Sequence, residues 1–211
     1  MSTVSIIGSG SMAAAIAHLS ARAGHNVVVM SRNALKAHEL VESIGAGATT
    51  GIFGDVPAGN IVILAVPYAG ALDVVRQFGE ALADKILVDI TNPVSPDLTC
   101  FVTPTGSSGT QEIAKVAPTT TKIVKAFNTQ FSHVLAIGAA NGTPLDILIA
   151  GDDLQEKSQV ADFIESLGLH PMDCGPLIMS KMLEHVCLLA LGLVTHSFKH
   201  TRFSLGVKLN P

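Results

Sequence analysis

The 211-residue sequence has no tryptophan, one tyrosine (Tyr68) and three cysteines (Cys100, Cys174 and Cys187). So few aromatics leave no stacking platform for nucleic-acid bases. An odd number of cysteines without CxxC spacing supports neither a disulfide framework nor a zinc site, and the expectation is buried free thiols in a reducing cytoplasm. Charged residues are scarce at 14%, the formal charge is -4, and no basic cluster occurs, which argues against a nucleic-acid partner. No basic leader precedes the first apolar run, so a signal peptide is not expected. The 48% hydrophobic content raises the question of a membrane span. The best candidate, Met182–Val194, is short for a bilayer and carries Glu184 and His185, so it reads as a buried helix and no membrane partner is expected. No Ser–His–Asp set, paired carboxylates or metal-ligand cluster can be traced, so no catalytic side chain and no metal are assigned.

What is present is alternation. Short β-branched runs at Thr3–Gly8, Asn26–Ser31, Asn60–Val66, Ile86–Ile90 and Lys122–Ala126 read as strands. Helical patterns lie between them. Met12–Ala23 sets Ile16, Leu19 and Ala23 on one stripe, and Ala71–Leu82 sets Leu72, Val75, Phe78 and Leu82 on another. Ser108 with Gln111 makes a capping box for a short helix ending near Val116. Pro93–Thr110, rich in Pro, Ser, Thr and Gly, reads as a long surface loop of the kind that often carries function. A further strand–helix–strand unit follows at Leu145–Ala150, Leu154–Leu167 and Leu169–Cys174, then a last helix over Ile178–Lys199. Apolar strands separated by amphipathic helices predict an α/β fold: a Rossmann-type, doubly wound, mainly parallel sheet with a short C-terminal helical extension. The expected division is a dinucleotide-binding domain over 1–175 and a helical extension over 176–211.

Gly8-Ser9-Gly10-Ser11-Met12-Ala13 fits G-x-G-x-x-A between a strand and a helix, with a second strand at the expected distance. Gly8 permits the tight turn, Gly10 lets a pyrophosphate approach the backbone, and Ala13 is small enough for helix–strand packing. The helix N-terminus offers its free N–H groups and positive dipole end to phosphate. The second strand ends Val29-Met30-Ser31-Arg32-Asn33, with no carboxylate to hold ribose hydroxyls before Glu39. Ser31, Arg32 and Lys36 suit a 2′-phosphate instead, so NADP is expected rather than NAD. The same sheet edge carries Ala65-Val66-Pro67-Tyr68 after the third strand, Asn92 after the fourth and Asn128 after the fifth, where ligands of open parallel sheets bind.

With these pieces placed, the sequence resembles the NADP oxidoreductases that use the deazaflavin coenzyme F420, and their relatives, including the cytosolic reductase domain of six-transmembrane ferric reductases. The stretches that carry the resemblance are IIGSGSMAAAIA, VVVMSRN, VILAVPY, ILVDITNP, SSGTQEIAK, KIVKAFNT, ILIAGDD, DCGPL and the closing GVKLN. It implies hydride transfer between NADPH and a flavin-like ring, and leaves the acceptor open among F420, FMN, FAD, free flavin and a quinone. It also implies that Ser31, Arg32 and Lys36 surround the 2′-phosphate. Family members often carry a second Arg where this chain has Asn33.

Three other features are weighed. His196 and His200, four apart, read as surface or partly buried histidines rather than a metal site, with His185 possible on the same face. His133 reads as a loop histidine near the substrate cleft, and Met172, Met179 and Met182 as core or interface filler. The competing functions are an imine- or keto-type reductase completed by a partner chain and a non-catalytic NADP(H) sensor. The apolar last helix predicts a homodimer, with a small-molecule redox acceptor as the other partner.

Overall fold

The computed structural model describes residues 2–45, 47–138 and 143–208. Leu209 and Asn210 of the closing GVKLN stretch lie outside these. One eight-stranded sheet runs in the order β3-β2-β1-β4-β5-β6-β7-β8. Its strands are β1 (Thr3–Ile7), β2 (Asn26–Met30), β3 (Ala48–Gly51), β4 (Ile61–Leu64), β5 (Ile86–Asp89), β6 (Lys122–Lys125), β7 (Asp146–Gly151) and β8 (His170–Asp173). All pairings are parallel except β6 with β7.

The helices are α1 (Ser11–Arg22), α2 (Ala34–Ile44), α3 (Tyr68–Phe78), α4 (Gly109–Val116), α5 (Ser132–Ile137), α6 (Leu154–Ser166) and α7 (Ser180–Leu193). Alternate strand residues feed two cores. Val4, Ile6, Ile63, Val88 and Val124 meet α1, α5 and α6 on one face. Ile7, Leu64 and Leu87 meet α3 and Ile113 of α4 on the other. The doubly wound sheet is therefore as the apolar runs predicted.

Several details differ from the sequence reading. β3 was missed because Ala-Thr-Thr-Gly is an edge strand with no fully buried residue. α5 was missed because six residues are too few to show a helical period. α3 starts at Tyr68, earlier than expected, and Gly79, at φ 47°, divides it from a 3₁₀ turn ending at Leu82. Ala23 is exposed just past the end of α1, so it is not part of the buried stripe. Cys100 is exposed and Cys174 and Cys187 are half-buried, so the thiols are free but not the buried set expected.

The largest difference concerns the last helix. A 3₁₀ turn at Leu177–Met179, α7 and a π-helical turn at Val194–Phe198 form one run of 22 residues. By length and composition alone it could cross a membrane, at mean hydropathy 1.8. It is not the buried helix expected: within this chain Leu189 is 60% exposed and Met182 45%. The run ends at Phe198, so His200 is not one helical turn beyond His196, and its ring stacks on Phe198.

Candidate functional site

The turn after β1 is built as the glycine spacing requires. Gly8 sits at φ 128°, and a Cβ there would lie 2.1 Å from the Ala65 carbonyl oxygen. Its N–H donates to the Met30 carbonyl at 2.8 Å, tying β1 to the end of β2. Gly10 is the N-cap of α1 and no side chain caps it. A Cβ on Gly10 would meet nothing within 4 Å. The first-turn N–H groups of α1 therefore face open space, the environment a pyrophosphate needs. Ala13 is fully buried against the sheet.

At the neighbouring strand end, the hydroxyls of Ser9 and Ser31 are 3.0 Å apart. The Asn33 N–H donates to Ser31 Oγ, and Asn33 Oδ1 accepts from the Lys36 N–H at 3.0 Å, which makes Asn33 the N-cap of α2. An arginine at this position would forfeit that cap. Arg32 is exposed, with its guanidinium near the place a Gly70 Cβ would occupy (3.6 Å). Lys36 is exposed on the first turn of α2.

A cleft of about 610 Å³ runs from this turn along the carboxyl ends of β1, β4 and β5. Gly10, Ser11, Met12, Ala65, Val66, Pro67, Tyr68 and Asn92 line it, all singled out in the sequence. Gly8, Ser9, Ser31, Arg32 and Lys36 lie outside its walls, around the β1 and β2 ends. Asn128 lies in a second cleft of about 340 Å³, which shares Asn92 and Val94 with the first and is walled by Thr129, Gln130, Phe131 and Cys187. Among the described residues, neither cleft is lined by a charged side chain. The Pro93–Thr110 loop contributes Val94, Pro96 and Val102, held by a Val94–Phe101 bridge and a Val102 N–H bond to the Pro93 carbonyl.

Asn92 and Asn128 interlock. Asn128 Nδ2 donates to Asn92 Oδ1 (2.9 Å) and to the Leu183 carbonyl (3.0 Å), and Asn92 Nδ2 donates to the Asn128 carbonyl (2.8 Å). Phe127, just before Asn128, has φ 60°, a strained value for a bulky residue. His133 is exposed and bonds the Thr201 carbonyl, with its ring stacked on Phe131.

Beneath the shared floor lies a group the sequence reading missed. Asp89, Lys125 and Glu184 are buried together. Lys125 Nζ donates to Asp89 Oδ2 (2.9 Å), Glu184 Oε1 (3.3 Å) and the Thr91 carbonyl (2.5 Å). Glu184 also accepts from the Gly109 and Thr110 N–H groups at the start of α4. Burial pushes the Glu184 carboxyl above its ordinary range, against the pull of Lys125 and those N–H groups. Two carboxylates are thus paired through one ammonium, contrary to the expectation of none. The clue in the sequence was that each charge interrupts an apolar run, in ILVDI, KIVKAF and MLEHVCLL.

Burial, helped by Glu112, Glu184 and Asp89, raises the Tyr68 phenol to about 12. Its ring rests where Gly109 has no side chain, since a Cβ there would approach Tyr68 Cε2 to 2.8 Å.

A glycine turn that opens a helix N-terminus, a doubly wound sheet and a cleft along its strand ends define a Rossmann-type fold, of the kind that binds dinucleotides. Residues 3–93 match the family model described as NADP oxidoreductase, coenzyme F420-dependent. The F420-dependent NADP reductase of Methanocaldococcus jannaschii is 29% identical over 156 residues, covering 72% of this chain and 68% of that protein. The rat metalloreductase STEAP3 is 29% identical over 201 residues, covering 90% of this chain but only 39% of that protein. A solved structure titled a putative F420-dependent NADP reductase, from an Arthrobacter species, superposes with a TM-score of 0.82 at 23% identity, over 92% of this chain and 94% of its own. The match to this family spans residues 3–93, and the relatives over the longer stretches are named as an NADP reductase and a metalloreductase.

Proposed function

We propose that the chain transfers a hydride between NADP(H) and a flavin-like acceptor: coenzyme F420 first, FMN or FAD otherwise. The observation that carries this reading is the meeting of two uncharged clefts at Asn92 and Val94. One runs from the dinucleotide turn, and the other is closed by α7. Two ligands that bring their own redox chemistry need a protein that aligns them and excludes water, and no acid or base in the walls. NADPH supplies the hydride when bound. Gly8–Met12 receive its pyrophosphate, and Ser31, Arg32 and Lys36 its 2′-phosphate.

A second observation supports a ring-shaped acceptor. Among the described residues five buried side-chain polar atoms have no hydrogen-bond partner, and four of them are Thr91 Oγ1, Asn128 Oδ1, Thr129 Oγ1 and Gln130 Oε1. All four belong to residues lining the two clefts. Orphaned buried acceptors call for donors, and the imide N–H edge of a flavin or deazaflavin is one.

We read the assembly as a cytoplasmic homodimer in which a second copy covers the outer face of α7, where Ile178, Met182 and Leu189 are exposed. Glu184 is already bound inside the fold, which favours this reading over membrane insertion. Light scattering at micromolar concentration is expected to give a dimer. NADPH oxidation followed by absorbance with F420, FMN and FAD tests the reaction. Turnover with one of them supports the reading. Turnover only with an imine or keto acid, or NADPH binding without turnover, overturns it.

A further inference from the structure

We propose that Lys125 is a positioning residue, whose buried ammonium holds the strand-end segment Asp89–Asn92 and helix α7 in register and so shapes the floor shared by the two clefts. The identity of the ligands rests on the hydride-transfer reading above; the placement of the floor does not.

Lys125 and Asp89 are direct partners across parallel strands β6 and β5. Both side chains are fully buried. An ammonium has three donors, and here each has one acceptor: the Asp89 carboxylate, the Glu184 carboxylate and the Thr91 carbonyl. A buried lysine is a poor device for stability, because an apolar residue of similar volume avoids its desolvation. What the ammonium adds is direction. It holds the peptide carbonyl immediately before Asn92. Asn92 in turn interlocks with Asn128, which bonds the Leu183 carbonyl. Leu183 and Glu184 are consecutive, so α7 is fastened twice within one turn. Ser180, one turn earlier, adds a 2.7 Å hydroxyl contact to Ser108, the N-cap of α4. Cys187, Ala190 and Leu191 of the same helix then wall the smaller cleft.

A merely structural role and a positioning role separate in a charge-balanced variant. Lys125→Met leaves Asp89 and Glu184 without their cation, whereas Lys125→Met with Glu184→Gln lightens that penalty but leaves the Thr91 carbonyl unheld. NADPH affinity is titrated at a temperature where wild type and variants are folded. Amide exchange of the 89–93 peptide is followed by mass spectrometry. We expect the double variant to bind NADPH about tenfold or more weakly and to exchange faster over 89–93. Lys157→Met, which removes a buried lysine of α6 paired with Asp173 at the end of β8, is the control expected to lose stability with NADPH affinity unchanged. Exchange over 89–93 and NADPH affinity within about twofold of wild type in the double variant would overturn the proposal. If both Lys125 variants fail to fold, Lys125→Arg, which keeps the cation but replaces the compact ammonium on Asp89, Glu184 and the Thr91 carbonyl by a planar fork, is read the same way, and wild-type exchange over 89–93 overturns the proposal. Failure of the wild type to bind NADPH would refute the functional reading, while the exchange data still decide the role of Lys125.

Discussion

The Cα of Gly8 lies so close under the Ala65 carbonyl that an added Cβ would come within 2.1 Å of its oxygen, while an added Cβ on Gly10 would touch nothing within 4 Å. The two glycines therefore predict opposite failures. Gly8→Ala meets a backbone clash at a positive φ and is expected to destabilise the fold by roughly 3 kcal/mol or more. Gly10→Ala is expected to keep the melting temperature within a few degrees but to lose NADPH binding, because the methyl group fills the space before the α1 N–H groups. Thermal denaturation and NADPH titration of the two variants check this. Equal melting temperatures, or full binding by Gly10→Ala, would contradict it.

Arg32→Ala is expected to weaken NADPH binding about ten- to a hundredfold and NADH binding little, since a guanidinium–phosphate contact is a charge-assisted pair. Comparable losses for both nucleotides would show that Arg32 does not read the 2′-phosphate. Asn33→Ala is expected to cost about 1 kcal/mol through the lost cap of α2. Chemical denaturation gives that figure directly.

Glu184 yields a pH prediction whose sign is opposite to that of an ordinary ion-paired carboxylate. Its carboxyl is raised above the ordinary value of 4.5 by burial, with Lys125, Asp89 and the α4 N–H groups facing it. Between 4.5 and the raised value the folded state binds more protons than the unfolded chain. Stability therefore falls as pH rises through that window and levels off above it. Asp97 and Glu112 are shifted the other way, so their stabilisation is lost as pH falls below the ordinary carboxyl range. Urea denaturation across this range should show the decline in the wild type and not in Glu184→Gln.

Tyr68 is the only tyrosine, and the chain has no tryptophan, so its phenolate absorbance is uncontaminated. The folded protein is expected to titrate near 12, and the urea-unfolded chain near the ordinary value of 10.0. A native midpoint near 10 would mean that Tyr68 is not packed against α4. Gly109→Ala, which pushes a methyl group into the ring, should lower the native midpoint.

Much of the sheet could be read from the chain because each inner strand is an unbroken apolar run, and the turn after β1 because Gly8 sits at a positive φ against the Ala65 carbonyl, where only glycine fits. β3 could not, since an exposed edge strand has no need of apolar residues. The placement of Gly8 to Tyr68 along the strand ends was legible residue by residue, because local sequence and local geometry coincide there. The Lys125 group was not, because its members lie 36 and 59 positions apart and meet only through parallel pairing and the docking of α7. The interlock of Asn92 with Asn128 escaped for the same reason: each was read as a free carboxamide at its own strand end. The last helix misled because its composition describes its length and not how much of it the rest of the chain covers.

That helix is one element thick where it closes the smaller cleft. Cys187 and Leu191 face the cavity, while Met182 and Leu189 face outward on the same rod. A helix transmits a tilt along its whole length, and this one is fastened at Ser180, Leu183 and Glu184 to the first turn of α4 and the ends of the strands. The width of the smaller cleft is thus set by the same rigid body that meets the outside, so a calliper closed on the outer face would be read on the inner one.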